Sequence, residues 1–309
     1  MKKLCFTLLC GILLFSAGAG AATGQYSRKL SPFSGVDISG PFEVRMVRGS
    51  EYRALLSYED AYDDYVTCDV VSGILVLSLD ERRVPSEVKR QFRGKGTPDP
   101  VFSAVIYVPE LIQTLSMSGK SVLYDTEDLF DKAKISFDLA ENAVMKHMSV
   151  STLNFKVSVR GKASADLTVG CKEFVAETAN ACVLKVEETS EVSNYYLQGS
   201  SRVTAKSETG ALNVHTKSNC TMSITGSGNT AEFDINGTSE VDAFGFEVPE
   251  ATVTMTSVCK LGESAYRSLK VNLSGGSSLY FANEPAVSIE NIKSSTMARA
   301  SGARGMTRL

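Results

Sequence analysis

The sequence predicts an all-β protein, a single-stranded, right-handed parallel β-helix (β-solenoid) with about 19 residues per repeat. Two observations support this fold class. A short signature occurs ten times at nearly constant spacing: a turn-tolerant residue, a very small residue two positions later, and an apolar residue after two more. Upstream of each small residue, apolar and polar residues alternate with period two, as in a strand that buries one face. About 19 residues cannot also hold a helix of about ten residues, which disfavours leucine-rich and ankyrin repeats.

The small residues form the first predicted column, with steps of 18 to 22 residues between members. We expect each to fill a corner where the chain turns inward and leaves no volume for a long side chain. The column comprises Ser121, Ala143, Ala163, Cys182, Ser201, Cys220, Ser239, Cys259, Ser277 and Thr296. Glycine precedes the small residue in every second repeat, so one physical turn could contain either a single repeat or a pair of repeats, roughly 38 residues.

The apolar residues of the signature form a second column, which should stack inside the solenoid. Its members are Leu123, Met145, Ala165, Leu184, Val203, Met222, Val241, Leu261, Leu279 and Ala298. Cysteines of the small-residue column are interpreted as buried small hydrophobic residues. Cys182 and Cys220 lie two turns apart, about 9.6 Å at strand spacing, which exceeds the reach of a disulfide.

The chain divides into four regions. Residues 1–21 read as a cleaved signal peptide, because two lysines precede an apolar run that ends in small residues. Residues 22–110 are predicted to be irregular N-terminal rungs, residues 111–300 regular β-helix repeats, and residues 301–309 a C-terminal tail. We therefore expect a secreted, periplasmic or cell-surface protein. No later stretch approaches the roughly 20 apolar residues of a transmembrane segment.

Within the N-terminal region, Gly40-Pro41-Phe42-Glu43-Val44 is a bulky version of the repeat signature and predicts the beginning of the coil. Residues 80–100 then interrupt the strand pattern with a run of basic residues and, near its end, glycine and proline. We interpret this insertion as a long, mobile loop and as a candidate contact for an anionic glycan, lipid headgroup or protein. Its basic residues are Arg82, Arg83, Lys89, Arg90, Arg93 and Lys95.

Four segments resemble, in their order along the chain, the bacterial head GIN domain family of auto-transporter adhesins. These segments are Phe33-x-x-Val36-x-Ile38, Gly73-Ile74-Leu75-Val76-Leu77, Ile106-Tyr107-Val108-Pro109-Glu110-Leu111 and Leu115-Ser116-Met117-Ser118-Gly119, followed by the serine- and glycine-containing repeats. The similarity extends over roughly residues 31 to 300. It implies a secreted or surface β-helical protein, typical of Bacteroidetes, with an adhesive role and no assigned catalytic residues.

An enzymatic interpretation depends on outward-facing carboxylates, because β-helices include polysaccharide lyases and hydrolases. Asp138 and Glu177 fall on equivalent outward positions two turns apart, about 9.6 Å at strand spacing, which could suit an inverting pair. Arg160 lies two positions further along the same face, so these three residues form the candidate catalytic set. His147 and His215, the only histidines, occupy different columns, and no residue spacing indicates a metal site or a cofactor.

The leading functional hypothesis is a non-enzymatic surface protein, an adhesin or scaffold with weak binding of a glycan or a protein. The alternative is a polysaccharide lyase or hydrolase that acts on the outer face. The net charge of −3 gives no reason to expect nucleic acid as a partner. Self-association is a third candidate, because the last rung exposes a sheet edge that only the short tail follows.

Overall fold

The computed structural model describes residues 23–93, 99–124 and 129–300. It is 70% strand and 4% helix and forms a β-solenoid of about ten turns with a spacing of about 19 residues. The predicted fold class is therefore confirmed. The predicted signal peptide (1–21) and the C-terminal tail (301–309) lie outside the described residues.

Among the described residues, seven strands and two short helices precede the regular repeats. The strands are β1 (Thr23–Lys29), β2 (Gly35–Gly40), β3 (Phe42–Arg48), β4 (Arg53–Glu59), β5 (Val66–Val71), β6 (Ile74–Leu79) and β7 (Phe102–Val108). The helices are a 3₁₀ helix (Asp60–Tyr65) and α1 (Ser86–Gln91). Neither of these described helices is long and apolar enough to cross a membrane.

Sixteen further strands build the regular repeats in chain order. The first eight are β8 (Thr114–Gly119), β9 (Val122–Leu123), β10 (Lys134–Leu139), β11 (Val144–Ser151), β12 (Asn154–Gly161), β13 (Ser164–Gly170), β14 (Glu173–Asn180) and β15 (Val183–Gly199). The last eight are β16 (Arg202–Ser218), β17 (Thr221–Asn236), β18 (Glu240–Thr256), β19 (Lys260–Glu263), β20 (Ala265–Ser274), β21 (Ser278–Phe281), β22 (Ala286–Lys293) and β23 (Thr296–Arg299).

Two parallel ladders run along the solenoid. In each turn, the strand before the small-residue corner belongs to the first ladder, and the strand after that corner belongs to the second ladder. The long strand β15 contributes to both, because its first half pairs with β13 and its second half with β14. Leu184 pairs with Val203, and Val203 pairs with Met222. Each physical turn therefore contains a single repeat of the signature, and the alternative of two repeats per turn is excluded.

The interior follows the two columns that the signature defines. From Ser121 to Ser277, the small residues are at most 1% exposed, and from Leu123 to Leu279 the apolar residues are at most 4% exposed. Cys182, Cys220 and Cys259 are free, buried thiols, and burial raises the pKa of Cys259 to about 11. A single internal core thus extends through consecutive turns, because equivalent side chains lie directly over one another.

The predicted last members of both columns, Thr296 and Ala298, are wrong by one residue. Leu279 pairs with Met297, and the Ser277 hydroxyl donates a hydrogen bond to the Ser295 hydroxyl at 3.1 Å. The last step is therefore one position shorter than the step predicted from the sequence. Thr296 resembles the signature because it is a small residue, but strand alternation turns its side chain outward.

The N-terminal turns are not stacked in chain order. Strand β2 lies between β6 and β8, and strand β3 lies between β7 and β9. Gly40 pairs with Gly119 and Val44 with Leu123, so the bulky signature does occupy a repeat register. It forms the second turn in space, because the turn made by β6 and β7 lies outside it although it comes later in the sequence.

Antiparallel strands close this end of the solenoid. Strand β4 runs antiparallel to β7 and to β1, and β5 runs antiparallel to β6. The insertion then covers the cap, and the expectation of a long loop is wrong for residues 86–91, which form α1. Helix α1 forms there because Val84, Val88 and Phe92 recur at helical spacing and pack on the core, with Phe92 5.5 Å from Tyr62 between ring centroids.

Candidate functional site

A depression of about 370 Å³ lies on the outer side of the first ladder, over strands β12, β14, β15 and β16. Its lining residues come from four successive turns. They are Ser158, Arg160, Glu177, Thr178, Ala179, Tyr196, Leu197, Gln198, His215, Thr216 and Lys217. A volume of this size is at the lower end of the range of small-molecule sites.

The depression arises because, in these four turns, one outward-facing row of residues contains a small side chain, Ala179, among long side chains. Arg160 pairs with Ala179, and Gln198 pairs with Lys217 in the same row. Because neighbouring strands are about 4.8 Å apart, the methyl group of Ala179 leaves a gap that the flanking side chains border. A longer side chain at Ala179 would fill this gap.

Tyr196 and His215 form an aromatic pair at the border of the depression. Their ring centroids are 5.1 Å apart and the planes differ by 7°, so the rings are stacked between adjacent turns. His215 covers one face of the Tyr196 ring, and the other face is directed toward the preceding turn and Glu177. His215 Nδ1 lies 3.7 Å from Asp234 Oδ2. Sequence reasoning missed this stack, because it depends on the conformations of side chains from two turns.

The structure brings together two of the three candidate catalytic residues. Arg160 donates hydrogen bonds to both carboxylate oxygens of Asp138, at 2.8 and 2.7 Å. Glu177 instead accepts a hydrogen bond of 2.6 Å from Lys156. Asp138 and Glu177 both lie opposite Ser158 in the ladder, two strand spacings apart, as the sequence predicts.

The chemistry open to these carboxylates follows from their surroundings. The side chains of Asp138 and Glu177 are 47% and 44% exposed, and each is neutralised by a basic partner. A general acid is usually generated by burial, which disfavours the charged form. This arrangement is typical of solvated cross-strand ion pairs. Within the described ranges of the chain, no cluster of three potential metal ligands occurs.

The basic residues of the insertion lie at the N-terminal end of the solenoid, distant in the fold from the depression. Backbone N–H groups of Arg82 and Arg83 donate to Asp80, and the Lys89 ammonium donates to the Glu81 carbonyl at 2.6 Å. Arg90 and Arg93 lie at the end of α1 and just after it. Lys95 lies outside the described residues. A binding role for this basic set remains a prediction.

Sequence reasoning missed a buried carboxylate inside the solenoid. Glu188 is 3% exposed, and its Oε1 accepts hydrogen bonds from Ser193 Oγ at 2.6 Å and from Ser207 Oγ. Ser190 and Thr209 extend this hydroxyl network. Burial raises the pKa of Glu188, and the hydroxyl donors oppose that rise. The signal was available, because alternation from Leu184 and Val186 directs position 188 inward.

A second buried carboxylate, Glu263, lies in β19. It is 1% exposed and accepts a hydrogen bond of 2.7 Å from the backbone N–H of Ala265. Burial raises the pKa of Glu263 to about 7, although the hydrogen bond from Ala265 lowers it. Neither internal carboxylate borders the outer depression, so both affect stability rather than ligand contact.

The family model described as "Putative auto-transporter adhesin, head GIN domain" matches residues 32–189 and 174–285. No curated protein matches the chain. A crystal structure of a "putative adhesin" from Parabacteroides merdae is 14% identical, covers 92% of this chain and 98% of its own, and has a TM-score of 0.49.

Two structures from Parabacteroides distasonis are similar at the same level. One, called a "putative adhesin", is 12% identical, covers 91% of this chain and 98% of its own, and has a TM-score of 0.46. The other, called a "Putative lipid binding protein", is 15% identical, with coverage of 92% and 98% and a TM-score of 0.46. The family matches together extend over well more than half of the 309 residues and confirm the resemblance seen in the sequence. The chain belongs to the head GIN domain family.

Proposed function

We propose that this protein is a non-enzymatic, adhesin-like protein of the cell surface or the extracellular medium that binds a glycan weakly in the outer depression. The observation that carries the proposal is the stacked Tyr196–His215 pair, which leaves one tyrosine face directed toward the depression. The family assignment supports the adhesive role. The predicted signal peptide at residues 1–21 supports export.

A sugar ring presents one apolar face and a rim of hydroxyl groups, and the depression offers a partner for each. The Tyr196 ring, which is 45% exposed and lines the depression, provides an aromatic platform. Glu177, Gln198 and Lys217 provide acceptors and donors around it. Arg160 and Glu177 already have ion-pair partners outside the depression, Asp138 and Lys156, so the site is suited to neutral hydroxyl groups.

Weak affinity follows from the openness and hydration of this site. The side chains of Arg160 and Glu177 are 52% and 44% exposed, so water competes for their hydrogen bonds. Each hydrogen bond to a ligand replaces one to water and gains only about 0.5 to 1.5 kcal/mol. Useful adhesion would then require several contacts at once, as in multivalent binding.

A glycan array with three variants tests the proposal. Tyr196→Ala removes the platform and Ala179→Leu fills the gap, and each is expected to reduce glycan binding by about tenfold or more. Tyr266→Ala is the control, because Tyr266 is 54% exposed on β20 and does not line the depression. Unchanged binding in both depression variants would contradict the proposal.

Incubation with polygalacturonate tests the enzymatic alternative on the same protein. The expected result is an unaltered polymer. Unsaturated or shortened products that disappear in Asp138→Asn would instead establish a lyase or hydrolase that uses the Asp138, Arg160 and Glu177 set.

A further inference from the structure

The C-terminal turn of the described chain exposes apolar side chains at interior positions. Val287, Ile289 and Ile292 of β22 pair with Leu269, Val271 and Leu273 of β20, which are fully buried inside the preceding turn. The three β22 side chains are nonetheless 39%, 56% and 39% exposed. They occupy core positions of the last described turn, and no other described turn covers them.

This patch is unlike the other exposed apolar residues of the described chain. Leu153 and Val258, for example, are exposed on separate connections between strands. No other strand among the described residues exposes three large apolar side chains. Single exposed hydrophobic residues are common on soluble proteins, whereas a contiguous group indicates a contact surface.

The backbone of the same turn has a free edge. Among the described residues, β22 pairs only with β20, and β23 pairs only with β21. The outer N–H and C=O groups of β22, a strand of eight residues, therefore have no strand partner in this part of the chain. An exposed, apolar sheet edge is a template for pairing with another strand.

The two ends of the solenoid differ, and the difference restricts what can cover this edge. The N-terminal end is closed by the antiparallel strands β4 and β5 and by α1. In a head-to-tail contact, β22 would therefore meet antiparallel strands and α1 rather than a turn in the solenoid register. Two C-terminal ends can meet about a two-fold axis, in a contact that uses the same patch twice and closes on itself.

We propose that the C-terminal turn, formed by β22 and β23, is an interface with a second copy of this chain. Residues 283–300 carry two acidic side chains, Glu284 and Glu290, and two basic ones, Lys293 and Arg299, so two copies meet without net repulsion. A second copy supplies three apolar side chains and a complete strand edge.

Sedimentation velocity of the mature chain, from roughly 1 to 200 µM, tests this interface. We expect a concentration-dependent dimer. Ile289→Lys should raise its dissociation constant by at least about tenfold, because a charge would be buried at the contact. Leu153→Lys is the matched control, since Leu153 is 48% exposed on the connection between β11 and β12, many turns from β22, and should leave the dimer unchanged. A monomer throughout the range, or a dimer insensitive to Ile289→Lys, overturns the proposal.

Two further experiments test the same interface without a substitution in β22. Hydrogen exchange of the unmodified protein should show that β22 amides become more protected as concentration rises, which needs no variant to fold. Deletion of residues 301–309 should leave the dimer intact. If only the shortened chain dimerises, the tail itself covers the edge and the proposal is wrong.

Discussion

The regular turns and the N-terminal cap use the same register but differ in how the chain reaches it. From β10 onward, each turn lies on the turn that precedes it in the sequence, with a nearly constant step between paired residues. In the cap, β2 lies between β6 and β8, so a later segment forms an outer turn. The comparison teaches that a repeat signature determines which side chains share a column, while the order of turns depends on the connections.

Closing the end of a solenoid explains why the cap departs from chain order. An end turn that simply stopped would leave a free strand edge on the outside. Here β4 and β5 fold back as antiparallel partners of β7 and β6, and α1 covers the aromatic residues Tyr62 and Phe102 through Phe92. The C-terminal turn has no such cover within the described chain, and this contrast leads to the proposed dimer.

The largest expected effect comes from breaking a column of the regular turns. Leu184→Asp would place a carboxylate between Ala165 and Val203, where Leu184 is fully buried. Burying an unpaired charge should destabilise the protein by about 4 kcal/mol or more. Thermal unfolding followed by circular dichroism measures the effect. A variant that melts at the wild-type temperature would show that the apolar column does not face inward.

A smaller effect on the free energy of unfolding is expected from Glu263, a buried carboxyl group in the regular turns. The pKa of Glu263 is about 7 in the folded protein against 4.5 as the ordinary value. A raised folded pKa means that its contribution to stability is complete below pH 4.5 and is lost as the pH rises to about 7. The free energy of unfolding should fall by about 3 kcal/mol over this interval.

The control for this pH effect is Glu263→Gln, which keeps the shape and the acceptor for Ala265 but does not ionise. Urea unfolding at about pH 4.5 and about pH 8 should show a smaller loss of stability in the variant than in the wild type. Equal losses in the two proteins would mean that Glu263 does not ionise within the fold in this interval.

The contact between the cap and the regular turns is tested by two glycines. Gly119 has φ of +72°, and a Cβ there would lie 2.7 Å from the backbone nitrogen of Gly40, whereas Gly73 has φ of +77° with open space around it. Gly73→Ala should cost about 1 to 2 kcal/mol for its backbone conformation alone. Gly119→Ala should cost more by about 1 to 3 kcal/mol, the range for overpacking. Similar unfolding energies in the two variants would contradict the stacking of β8 on β2.

The smallest effect is expected on the outer face. Asp138 and Arg160 are about half exposed, and solvent screens their ion pair. A double-mutant cycle with Asp138→Asn and Arg160→Gln should give a coupling energy of about 0 to 1 kcal/mol. A coupling of several kcal/mol would indicate a desolvated pair and would favour the catalytic interpretation of these residues.

Sequence reasoning was strongest where one column is repeated many times. The alternation around Leu184, Val203 and Met222 predicted strands, an inward face and one shared register, because neighbouring turns must repeat the same geometry. It failed at Thr296, where a shortened last step shifted the register, and it missed Glu188, an acidic residue at an inward position. The alternation of apolar and polar residues within one repeat is sufficient to show which side chains belong to an inward-facing column.

The remaining features depend on contacts between distant segments. The position of β2 between β6 and β8 follows from long-range pairing that no local pattern encodes. The depression depends on the coincidence of Ala179 with long neighbours from other turns, and the Tyr196–His215 stack depends on side-chain conformations across two turns. Helix α1 was hidden by the basic residues around Val84 and Phe92, which alone resemble a loop.

Disulfide formation between engineered cysteines tests the order of turns most directly. Ser39 pairs with Ser78 on one side and with Ser118 on the other, and all three are half-buried serines in one row. We expect the Ser39→Cys/Ser78→Cys and Ser39→Cys/Ser118→Cys proteins to crosslink under oxidation, because Ser39 is adjacent to both partners. The Ser78→Cys/Ser118→Cys protein should not, because two strand spacings of about 9.6 Å exceed disulfide reach. Crosslinking of Ser78→Cys with Ser118→Cys, without the crosslink between positions 39 and 118, would show that the turns stack in chain order and would contradict the account.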